Sequence, residues 1–122
     1  MNNISDFEDL LVFQRAYNVS LSLHHISLEM PKVEQFGGIA DQIRRASKGV
    51  CANIAEGYGK QHISKPEFKR YLSIAIGSAN EVRVWLRYCR DLGYINNEQM
   101  AEFAAEYLEI AKMLSSLHNS WK

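Results

Sequence analysis

The sequence predicts an all-α protein, an antiparallel up-down-up-down four-helix bundle. Apolar residues recur at alternating three- and four-residue steps along four segments, both prolines stand at segment edges, and no stretch shows the apolar–polar alternation of a half-buried strand. Four such seams joined by short connections pack side by side at shallow crossing angles. The expected helices cover about 8–30, 37–59, 65–92 and 97–120 of a single domain, 1–122.

The first seam reads Val12, Ala16, Val19, Leu23, Ile26, Met30 and ends at Pro31, whose ring disfavours a helical residue before it. The second follows the Gly37-Gly38 break and reads Ile39, Ile43, Ala46, Val50, Asn53, Gly57. The third, Phe68, Leu72, Ala75, Ala79, Val82, Leu86, Cys89, opens on Ser64-Lys65-Pro66-Glu67, a capping-box pattern with proline in the first turn. Gly93 supplies a left-handed stop for it. The fourth reads Met100, Phe103, Tyr107, Ile110, Leu114, Leu117, Trp121, with Asn96 or Asn97 as its N-cap.

A chain of 122 residues suits one domain and buries roughly two-thirds of its unfolded surface. With 47% hydrophobic and 23% charged residues the composition is that of a soluble globular protein. No run approaches the roughly 20 apolar residues of a membrane span, and the start, MNNISDFEDL, is acidic rather than a basic leader. Cys51 and Cys89 lie inside helical segments without metal or redox spacing, as expected of buried thiols in a reducing cytoplasm. A cytoplasmic protein without a membrane partner is the expectation.

The patterns of catalysis are missing. A di-iron bundle needs Glu-x-x-His on two helices, yet none of His24, His25, His62 and His118 stands three residues after a glutamate. Zinc spacings are absent too, and no strand exists to carry a nucleophile elbow. Lone serines such as Ser47 and Ser78 read as small packing residues. No metal, no cofactor and no enzymatic activity are expected.

The stretch NIAEGYGK, Asn53–Lys60, looks at first like a phosphate loop. It lacks the Walker spacing and falls at the C-terminal end of a helix, where the macrodipole is negative and repels phosphate. The sequence instead predicts close packing at Gly57, termination near Gly59 and a favourable cation at Lys60. Asn53 is expected to fix register through a buried hydrogen bond, and Glu56 to pair with a base on a neighbouring helix or subunit.

Charge is distributed unevenly in this neutral chain: −4 over 1–43, +7 over 44–90 and −3 over 91–122. Arg44, Arg45 and Lys48 lie off the second seam and should point outward. Lys60, His62, Lys65, Lys69 and Arg70 gather around the second connection, and Arg83, Arg87 and Arg90 form a further stripe. Two accounts compete: ion pairing with a matching stripe of Glu102, Glu106 and Glu109, or a footprint for a phosphate backbone. Off the third seam, Tyr71, Trp85 and Tyr88 have two readings: a wide core stripe, since globular helices often bury three or four positions per two turns, or a subunit interface, which large aromatics favour.

The run Arg45-Ala46-Ser47, Val50, Asn53-Ile54-Ala55-Glu56-Gly57-Tyr58-Gly59-Lys60 resembles the signature of the four-helix bundle proteins encoded in intervening sequences of bacterial 23S ribosomal RNA genes. Phe68, Leu72, Ala75, Ser78 and Glu81 match the same pattern, and the resemblance covers about residues 7–120. Lys60 stands where arginine is common, and Lys48-Gly49 departs from the usual small or serine-like pair. That family is similar to the accessory proteins of diversity-generating retroelements, basic pentameric barrels that bind nucleic acid and a reverse transcriptase. The resemblance therefore implies a homopentamer that binds RNA or DNA through a repeated basic face. The alternative is a scaffold whose charge stripes recruit a protein partner, without nucleic acid.

Overall fold

The computed structural model describes residues 4–121. Four helices dominate: α1 Leu11–Ser27, α2 Ile39–Lys60, α3 Lys65–Asp91 and α4 Asn97–Ser120, with short 3-10 turns at Phe7–Asp9 and Lys32–Glu34. No strand occurs among the described residues. Each helix packs on its chain neighbour, α1 closes against α4, and neither diagonal pair brings Cα atoms within 8 Å among the described residues. This is the up-down-up-down ring expected from the four seams.

All seven seam residues of α3 are buried. Val12, Ala16, Val19 and Leu23 bring α1 into the same core, and Tyr107, Ile110 and Leu114 bring α4. Met100, Phe103, Leu117 and Trp121 remain partly buried at the two ends of α4, and Ile26 is partly buried on α1. On α2 the buried line is Ala40, Ile43, Ala46, Val50, Ile54 and Gly57, so Ile39 and Asn53 are displaced from their expected places. Burying Ile54 removes apolar area from water, whereas a core amide at Asn53 would need a partner on another helix. Asn53 therefore does not pin the helix register. Its Nδ2 donates to the Gly49 carbonyl at 2.8 Å, one turn back in its own helix.

The connections explain the helix ends. α1 stops at Ser27, three residues before Met30, because the following turn takes over its last carbonyls. Gln35 Nε2 donates to the Ser27 carbonyl at 2.8 Å and to the Met30 carbonyl at 3.0 Å. Met30 stays in the core although it lies outside the helix. Gly37 has φ +79°, a left-handed turn open to glycine. Glu34 and Asp41 then cap α2 from both sides, accepting from the Ile39 and Gly37 N–H groups at 2.9 and 2.7 Å.

Ser64 accepts from the Glu67 N–H at 3.3 Å at the start of α3, with Pro66 in the first turn. Glu67's own side chain turns to Arg70 instead of closing the box. Gly93, at φ +81°, ends that helix as expected. Asn96 and Gln99 exchange capping bonds at 2.8 and 2.9 Å to open α4.

Candidate nucleic-acid interface

Gly57 is buried where α2 meets α3. A Cβ there would lie 2.8 Å from Tyr71 Cβ and 3.2 Å from Phe68 Cδ1, so only hydrogen fits. Gly59 has open space around it and an ordinary φ, and the helix continues to Lys60. Termination comes instead from the 61–64 turn, where the Ile63 and Ser64 N–H groups converge on the Lys60 carbonyl at 2.9 and 2.8 Å. Glu56 is exposed and forms no ion pair among the described residues, so its expected partner within the chain is missing.

The basic residues separate into engaged and unengaged groups. Arg44 does not point outward as a free cation. Its guanidinium donates to Ser27 Oγ at 2.8 Å, Gln35 Oε1 at 3.1 Å and the Gln35 carbonyl at 2.9 Å, tying α2 to the preceding connection. Arg45 pairs with Asp41 one turn back at 3.0 Å. Lys48 is exposed, with Nζ 3.2 Å from His24 Nδ1. Burial and the positive charges of Lys48 and Arg44 lower the His24 pKa.

The stripe on α3 is not zipped to α4. Arg83 contacts Asn80 and Arg90 contacts Asp91, while Glu106 is claimed by a bidentate bond from Arg15 on α1. The expected pairing of Arg83, Arg87 and Arg90 with Glu102, Glu106 and Glu109 is therefore replaced by an α1–α4 clamp.

At the α2–α3 corner the picture differs. Residues 58–70 contain Lys60, Lys65, Lys69 and Arg70 against the single carboxylate of Glu67. Arg70 takes that carboxylate at 3.0 Å and lies 4.9 Å from the centre of the Tyr71 ring. Lys60, Lys65 and Lys69 have no carboxylate within ion-pair distance among the described residues. Near the same connection, Tyr58, His62, Phe68 and Trp121 contribute to a half-open cavity of about 220 Å³ that none of these lysines lines; Lys60 lies on a separate groove with Glu56 and Ile63. Sequence reasoning identified the lysines but missed this cavity. Its signal was the aromatic and histidine interleaved with Lys60 in Tyr58–His62, but Trp121 arrives from the far end of the chain.

The expected interface aromatics lie on α3. Tyr71 and Trp85 are partly buried, Tyr88 is exposed, and the Trp85 and Tyr88 rings are 5.8 Å apart. Trp85 Nε1 donates to Glu81 Oε2 at 3.0 Å, which gives Glu81 a local role in orienting the indole. Ile74, Val84 and Leu92 extend the exposed apolar surface of this helix.

Fold and surface define a class: an all-helical four-helix bundle with a basic corner whose lysines have no carboxylate partner among the described residues. The family model for the 23S rRNA-intervening sequence protein matches residues 8–116, and the chain belongs to that family. It is also similar to a crystal structure, at 1.70 Å resolution, of a protein with unknown function from the S23 ribosomal protein family of Bacteroides thetaiotaomicron. Identity is 25% and the TM-score 0.80, with 90% of this chain and 96% of that chain covered. No curated protein matches the chain. Neither the family description nor that of the similar structure indicates an enzyme. Among the described residues, no helix is long and apolar enough to cross a membrane.

Proposed function

We propose that this protein is a non-enzymatic, cytoplasmic assembly of four-helix bundles that binds RNA or DNA through a repeated basic face. The observation that carries this reading is the α2–α3 corner, where Lys60, Lys65 and Lys69 stand without carboxylate partners among the described residues. Such cations lose little on meeting phosphate, because no internal ion pair has to break first. Each phosphate they neutralise releases condensed counterions and favours binding. Arg44 is spent on the fold and Arg45 on Asp41, so the footprint centres on the corner rather than on the Arg44–Lys48 face. The resemblance to the nucleic-acid-binding accessory proteins of diversity-generating retroelements adds to this reading. A pentamer, implied by the resemblance to retroelement accessory proteins, repeats the corner around an axis and multiplies weak contacts.

A fluorescence titration with labelled RNA and DNA at stepped salt concentrations tests the proposal. Affinity should fall steeply with salt, with a logarithmic slope of about 0.9 per phosphate contact on duplex DNA. The combined Lys60→Gln, Lys65→Gln and Lys69→Gln variant should bind more weakly with a shallower slope, while Arg45→Gln changes little. Failure of the wild-type protein to bind at low salt would overturn the proposal.

The exposed apolar surface around Trp85 and Tyr88 favours a second reading, a scaffold that recruits a protein partner. In that case assembly depends on the aromatic surface and nucleic acid leaves the particle unchanged.

A further inference from the structure

We infer that the cavity at the α2–α3 corner accepts one unstacked base of a single-stranded nucleic acid, a mode that rests on the proposed function and narrows it to single strands. The cavity holds about 220 Å³, room for one planar base, and opens beside His62, which is exposed. Its wall is partly aromatic. Phe68 is fully buried and meets Trp121 edge-on, with centroids 4.7 Å apart and planes at 79°, so the open ring surface comes from Trp121 and Tyr58, both partly buried. Leu10 and Leu117 supply apolar contacts. The Tyr58 hydroxyl and the Gln61 side-chain amide make no hydrogen bond among the described residues, so both are available to a base edge.

None of the three lysines lines the cavity itself: Lys60 lies on a separate groove of α2 with Glu56 and Ile63, while Lys65 opens α3 one helical turn before Phe68. Aromatic surfaces next to a basic track are how proteins hold single strands, because every base offers a face for stacking whereas a duplex keeps its bases paired. The composition of the site thus favours a single strand over a duplex of equal charge.

The test compares single-stranded RNA, single-stranded DNA and duplex DNA of equal length, using oligonucleotide anisotropy and tryptophan emission together. Single strands should bind roughly tenfold more tightly than the duplex, the size expected for one stacked base. They should quench tryptophan emission, and Trp121→Phe should remove most of that quenching although Trp85 remains. Tyr58→Leu, which keeps apolar volume but removes the ring, should weaken single-strand binding roughly tenfold and leave duplex binding unchanged. His62→Ala, at an exposed position, provides a second variant that does not depend on core packing. It should weaken single strands selectively.

A preference for RNA over DNA would place the 2′-hydroxyl in the contact; equal affinity would assign recognition to the base and phosphate alone, and both support the cavity. Equal binding of single strands and duplex, or single-strand binding without Trp121 quenching, would overturn the cavity while leaving the phosphate footprint standing. Absence of all binding at low salt would overturn both.

Discussion

Gly57 and Gly59 lie two residues apart on α2, yet a methyl group would meet opposite surroundings at the two positions. At Gly57 it would press on Tyr71 and Phe68, so Gly57→Ala should destabilise the protein by about 1–3 kcal/mol through overpacking. At Gly59 nothing lies within 4 Å, and Gly59→Ala should stabilise the helix by about 0.5–1 kcal/mol. Urea denaturation of the two variants checks both, and equal effects would contradict the packing role of Gly57. Tyr107 offers another contrast. Its ring fills the core, but its hydroxyl is buried without a hydrogen-bond partner among the described residues, and burial pushes its ionisation far up. Tyr107→Phe should therefore raise stability by about 1 kcal/mol, because the unsatisfied group is costly to desolvate. A loss in the urea midpoint would show that the hydroxyl has a partner in solution.

Among the elements, the connection between α1 and α2 has the richest chemistry. Arg44 and Gln35 tie its backbone to the end of α1, and Glu34 links it to both α2 and the segment after α3. The Ile39 N–H and the Tyr94 hydroxyl, 2.9 and 2.7 Å from Glu34, hold its carboxyl below the usual range. The folded chain consequently binds fewer protons at Glu34 than the unfolded chain. This stabilisation is present above the ordinary carboxylate pKa and is lost as pH falls through the folded value. The same bond raises the Tyr94 phenol, so that contribution is present below the ordinary tyrosine pKa and is lost as pH rises through its folded value. Urea midpoints measured across pH should show a plateau with both limbs, and Glu34→Gln should flatten each. An unchanged acid limb would assign it to other carboxylates.

For the whole molecule, the question is how a neutral chain comes to present a basic face. Neighbouring acidic side chains neutralise part of the positive middle segment: Asp41 takes Arg45 on α2, and Glu67 takes Arg70 and Asp91 takes Arg90 on α3. The corner lysines lie beyond those partners. In the proposed assembly, repetition would turn three lysines into an extended surface. Light scattering at micromolar concentration should therefore give a multiple of the 14.0 kDa chain mass, with a pentamer expected. Trp85→Ala, Tyr71→Ala and Tyr88→Ala should each lower that mass while leaving helicity largely intact. A wild-type monomer under these conditions would count against both the nucleic-acid assembly and the scaffold.

The four helices, their order and most of their ends could be read directly from the amino acids. Periodicity, the Ser64 and Asn96 caps and the left-handed Gly93 are decided within a turn or two of chain, where sequence spacing is spatial spacing. The buried line of α2 was less legible: Ile54 rather than Asn53 faces the core because α1 and α3 together decide which side of that helix is covered. The basic corner was visible as composition, but which cations remain unpaired was not. Arg44 finds acceptors in the preceding connection, and Lys60, Lys65 and Lys69 meet no carboxylate among the described residues, outcomes set by groups brought from elsewhere in the chain. The cavity depended most on tertiary structure. It exists because the end of α2, the start of α3 and Trp121 after α4 converge at one end of the bundle, and sequence separation conceals contacts of that kind.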